Sequence, residues 1–110
     1  MDEIEQIEVS IEAARKDVAK MDGLLRLLKN KDFQAIVDTG YFVDEASRLV
    51  VIRAEPSMQD DSVQKTINDG ITAVGHFRQY LNTVMQLGRM AEQGIKEDEE
   101  TRQELITEGY

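Results

Sequence analysis

With 110 residues and no cysteine, the chain has room for one domain but no disulfide framework and no thiolate metal site. Thirteen basic against 22 acidic residues leave a net charge of −9, the wrong sign for a phosphate-binding surface. A lone histidine, His76, excludes a multi-histidine metal site within a single chain, and no apolar run approaches the roughly 18 residues of a membrane span.

The first element is predicted over Glu3 to about Lys29. Ile4, Ile7, Ile11, Ala14, Val18, Met21, Leu25 and Leu28 recur at alternating steps of three and four residues. That is the a/d stripe of a heptad helix, with Gly23 off the seam. The acidic, heptad-patterned start MDEIEQIE does not read as a signal peptide, so the chain is expected to be soluble and intracellular.

Two short helices are expected next. KDFQAIVDTG, residues 31–40, has Asp32 as an N-cap candidate, Phe33, Ile36 and Val37 as an apolar face, and Gly40 as a stop. FVDEASRLVVIRAEP, residues 42–56, carries apolar residues at helical spacing and ends at Pro56, because the residue before proline disfavours the helical conformation. Leu49–Ile52 is the only strand-like run, and it lies inside a helical pattern.

The fourth element is the second long helix, predicted over residues 61–95, with Asp61 to Gln64 read as a capping box. Ile67, Val74, Leu81, Gly88 and Ile95 take a positions; Gly70, Phe77, Val84 and Ala91 take d. Ile71, Ala73, Tyr80, Met85 and Leu87 widen the apolar surface, so this helix should be covered on several sides. KEDEETRQELITEGY, residues 96–110, is expected as a short docked helix or a frayed acidic tail, with Leu105 and Ile106 as its anchors.

Pairing two copies of the first helix is not selected by charge. In parallel register Glu3 meets Glu8 and Asp17 meets Asp22; in antiparallel register Asp17 meets Asp17 and Arg15 meets Arg15. The mostly uncharged flanks of the second long helix are a better match, within the chain or across a dimer. Two long rods on so short a chain leave apolar surface to cover, which predicts a homodimer or a docked partner.

No catalytic constellation emerges. His76 and Tyr80 can share a helix face, but no serine, cysteine or acid completes a triad. The acidic pairs and the run Glu97, Asp98, Glu99 and Glu100 do not fit a calcium loop, and the glycines of the second long helix do not fit a phosphate loop. We therefore expect no cofactor, no metal, no enzymatic activity, no direct nucleic-acid contact and no membrane.

The runs KDFQAIVDTGYFVDEASRLVVIRAEPSMQ and AVGHFRQYLNTVMQLGRMAEQGIKEDEETRQEL carry a DFQ…GYF…EA.RLV core, a PSMQ loop and an acidic end. Together they resemble small acidic helical proteins of tailed bacteriophages. The resemblance implies a phage protein with an all-helical fold and carries no catalytic residues; the expected location is the virion or the host cytoplasm.

The expectation is thus an all-α, elongated helical hairpin or bundle, residues 1–110 as one domain, with two long helices, short helices between and after them, and a dimeric state. Its packing and interface residues are Ile4, Ile7, Ile11, Val18, Met21, Leu25, Leu28, Ile67, Val74, Phe77, Leu81, Val84 and Gly88. A possible partner-binding acidic patch is Glu97, Asp98, Glu99 and Glu100. Expected partners are a second copy and a phage structural protein or host protein. The expected function is a virion or assembly accessory; the alternative is an acidic, nucleic-acid-mimicking inhibitor of a host polymerase, nuclease or defence complex.

Overall fold

The computed structural model describes residues 2–109, and among them every regular element is helical. In order these are α1 (Glu3–Leu28), α2 (Lys31–Phe33), a π-helical segment (Gln34–Glu45), α3 (Ala46–Arg53), a 3₁₀ turn (Pro56–Met58) and α4 (Asp61–Thr107). Met1 and Tyr110, within the single domain and the terminal stretch expected above, lie outside the described residues.

Three boundaries differ from the sequence reading. The second long helix does not stop at residue 95 but runs 47 residues to Thr107, about 70 Å at the α-helical rise. The stretch 96–107 is therefore neither a separate short helix nor a frayed tail. The heptad register explains the continuation: after Ala91 and Ile95 it places Asp98, Arg102 and Leu105 on the seam, and all three are partly covered.

Second, Gly40 stops nothing. α2, the π segment and α3 follow one another without a break from Lys31 to Arg53. The winding sets which residues share a face. Phe33 and Phe42 are nine residues apart, two and a half α-helical turns, so an α-helix would send them to opposite sides. The i→i+5 pattern of a π-helix fits more residues into each turn, and nine residues make about two turns. Covered positions accordingly cluster every four to five residues, at Phe33, Val37–Asp38, Gly40–Phe42 and Glu45–Ala46. Gly40 is required within this geometry: a Cβ there would stand 2.5 Å from the Ala35 carbonyl oxygen.

Third, the caps move by one or two residues. Asn30, not Asp32, caps α2, its Oδ1 accepting from the Phe33 N–H at 2.9 Å. Asp60, not Asp61, caps α4, its Oδ1 accepting from the Ser62 N–H at 2.9 Å and the Ser62 hydroxyl at 3.0 Å. Gln64 does not close a capping box. Its Nε2 donates to the carbonyls of Met58 at 2.8 Å and Arg53 at 3.0 Å, acceptors left open at the ends of the 3₁₀ turn and of α3. Pro56 acts as expected: Glu55 before it is extended, with φ −68° and ψ 134°.

The described chain packs as two units, residues 2–25 with 83–109, and Arg26–Asn82. In the first unit α1 and α4 lie side by side and antiparallel. Met21 meets Gly88, while Glu3, Gln6, Ile7 and Ser10 share a cleft with Asp98, Thr101 and Leu105. Ile11, Met21, Leu24, Val84 and Ala91 are the buried apolar residues here. Each fully buried aliphatic side chain is worth about 1.5–3 kcal/mol, so these few residues carry the pairing. The stripe of α1 is thus met by α4 of the same chain. The seam drifts at its end: Leu24 is 6% exposed and Leu25 is 39% exposed, so Leu24 replaces the predicted Leu25. In the second unit Phe42, Ile67 and Val74 are buried, and Leu49 packs against Gly70.

Candidate interaction surfaces

Antiparallel pairing in the first unit has an electrostatic consequence. It lays the acidic start of α1 beside the acidic end of α4. Residues 2–14 carry five acids and no base, and residues 97–108 carry six acids and one base. This end therefore holds ten net negative charges, against nine for the whole chain. The predicted patch of Glu97, Asp98, Glu99 and Glu100 is part of it, and the helix fixes where those residues point. Asp98 lies on the seam; Glu97, Glu99 and Glu100 are exposed. Glu97 accepts from Gln93 Nε2 at 3.0 Å. Composition alone misses the contribution of Glu3, Glu5, Glu8 and Glu12, because only the fold brings the two ends together.

Further along the same unit the charge is mixed. Arg15, Arg89 and Lys96 face Glu92 and Glu99 around Val18 and Ile95 in an open groove. Arg15 also pairs with Glu12 at 3.3 Å across one helical turn.

The second unit has a different surface. Phe42, Val43, Ala46, Ser47, Val50 and Val51 line a shallow, mainly apolar cleft. Val43, Val50 and Val51 are 52%, 57% and 64% exposed, and Ile36 is 70% exposed. Behind the cleft the Phe42 ring packs tilted on Phe77 at 5.4 Å and on Tyr41 at 5.9 Å, while Tyr41 and Phe77 meet edge-on at 6.1 Å. The Arg78 guanidinium stands 5.5 Å over the Phe42 ring, a cation–π contact. At the junction with α3, Arg48 pairs with Glu45 through Nε at 2.9 Å and through a second, shorter contact from Nη2. This hydrogen bond, with the attraction of the guanidinium charge, holds the Glu45 carboxyl below its ordinary range.

The predicted packing residues fall as follows. Ile11, Met21, Ile67, Val74, Val84 and Gly88 are buried; Ile4, Ile7, Val18, Leu28 and Leu81 are partly covered. Phe77 remains 38% exposed at the edge of the aromatic cluster. The periodicity reading does not single out Val43, Val50 and Val51 as surface residues. The seven-residue spacing of Ile36, Val43 and Val50 is the sequence signal that groups Val43 with Val50; none marks Val51.

His76 and Tyr80 are both exposed on α4. Among the described residues no group of three or more His, Cys, Asp or Glu is placed to hold a metal ion, and no helix is long and apolar enough to cross a membrane. No family model, curated protein or solved structure matches the chain.

Proposed function

We propose that the chain is a non-enzymatic interaction protein that associates through helical surfaces, first of all with a second copy of itself. The observation that carries this reading is the apolar cleft of the second unit, where Val43, Val50 and Val51 are left in water around a buried phenylalanine. Exposed apolar residues scattered singly need no explanation, but a contiguous group lining one cleft is what a partner covers. A two-fold pairing would let the same surface serve both partners.

Sedimentation at micromolar concentration tests it. Wild type should run as a dimer, and Val50→Asp should run as a monomer with an unchanged helical circular-dichroism spectrum, its unfolding midpoint no longer rising with protein concentration. A wild-type monomer sinks the self-association reading.

The resemblance of residues 31–108 to proteins of tailed bacteriophages leaves two roles open, and helical self-association favours the first, a virion or assembly accessory, in the virion or the host cytoplasm. Capture from infected cells should then recover capsid, portal or tail components.

The acidic end of the first unit favours a second reading, an inhibitor that presents carboxylates where a host nucleic-acid-binding enzyme expects phosphates. In that case capture recovers a polymerase, nuclease or defence complex, and the complex weakens steeply with added salt.

A further inference from the structure

We infer that residues 34–45 form a two-register element, π-helical in this structure and able to rewind as an α-helix continuous with α3. The inference is independent of the association reading above.

Three observations lead to it. The π segment is 12 residues long, whereas π geometry in proteins is mostly confined to single-turn bulges. Each α-helix flanking it begins or ends without a loop, so a rewound segment would extend α3 with no new boundary. The sequence also contains a complete α-helical seam that the π geometry breaks. Phe33, Ile36, Gly40, Val43, Ser47 and Val50 follow one another at steps of three and four, the spacing of one α-helical face. In this structure Phe33 is partly covered while Ile36 and Val43 stand in solvent.

The two registers therefore satisfy different apolar sets. The π form places Phe33, Val37 and Phe42 on one side, where Phe42 joins Phe77 and Tyr41. The α form gathers Phe33, Ile36, Val43 and Val50 into one stripe, and puts Phe33 and Phe42 on opposite sides. Gly40 sets the balance. It tolerates the close approach of the Ala35 carbonyl in the π form, and as a glycine it weakens the α form. A helix-register change of this kind belongs to the microsecond-to-millisecond range.

The test uses the full chain and NMR couplings across hydrogen bonds, which identify the carbonyl that each amide faces. In wild type the Gly40 amide should couple to Ala35. Relaxation dispersion should show exchange over residues 34–45 and none over 46–53. Gly40→Ala places a Cβ against the Ala35 carbonyl, and the coupling from residue 40 should move to Ile36. The chemical shifts of this variant should match those of the wild-type minor state. Retention of the Ala35 coupling in Gly40→Ala overturns the inference. So do flat dispersion profiles over 34–45 in wild type, and that measurement decides the matter alone if the variant does not fold.

Discussion

Met21 closes over Gly88: a side chain on α1 occupies the space that a Cβ on α4 would need, and its own Cβ is the nearest atom. The glycine is thus a notch that lets the two helices approach, in the part of the first unit where α1 is most buried. Gly88→Ala should destabilise the protein by up to about 2 kcal/mol, an overpacking cost of about 1–3 kcal/mol less a helix-propensity gain of about 1 kcal/mol. Urea unfolding measures it. Because the obstruction begins at the Met21 Cβ, a double-mutant cycle should show stronger rescue by Met21→Gly than by Met21→Ala.

Gly75 and Gly94, on the same helix, should respond in the opposite sense. A Cβ at either meets nothing within 4 Å. Gly75→Ala and Gly94→Ala should each stabilise by about 0.5–1 kcal/mol, through helix propensity and a less flexible unfolded chain. Raised urea midpoints with unchanged slopes are the expected outcome; a loss of stability in either variant would mean that its surroundings are occupied.

The start of α4 offers a choice between neighbouring aspartates. Asp60 makes the capping bonds to Ser62. Asp60→Ala should cost about 1 kcal/mol, the usual value of an N-cap, while Asp61→Ala should fall within about 0.5 kcal/mol of wild type. Equal effects from the two substitutions would contradict the cap assignment. The result also separates the observed geometry from the capping box that the sequence suggests at Asp61.

Glu45 links the end of the π segment to Arg48, and its carboxyl is held below the ordinary glutamate value by that hydrogen bond first and by the guanidinium charge next. A depressed folded-state pKa stabilises the fold above the unfolded value, and that contribution is lost as pH falls through the folded value. The pair is solvent-exposed, so the effect on stability is small and the direct readout is the titration itself. Replacing Arg48 with Met should move the Glu45 midpoint up to the ordinary glutamate range in an NMR titration. Lys65 behaves in the opposite sense. Its hydrogen bond to Asp69 at 2.8 Å raises its pKa, so its contribution is complete below the ordinary lysine value and disappears as pH rises through the folded value.

Local rules made much of this protein legible in its sequence. The stripe from Ile4 to Met21, the heptad positions from Ile67 to Ala91 and the end of α3 before Pro56 follow from helix period and proline sterics, which need no knowledge of neighbours. The helical class follows from the same period. Tertiary structure decided what those rules leave open. α1 is met by α4, a surface far away in the chain, and the contact of Met21 with Gly88 marks that pairing within the first unit. The seam passes through Leu24 rather than Leu25 because only burial against a neighbour distinguishes two adjacent leucines. The π segment brings Phe33 and Phe42 towards the same side, a placement no local propensity expresses. The acidic end was written in two separate stretches, and its charge density arose only when antiparallel packing set them side by side.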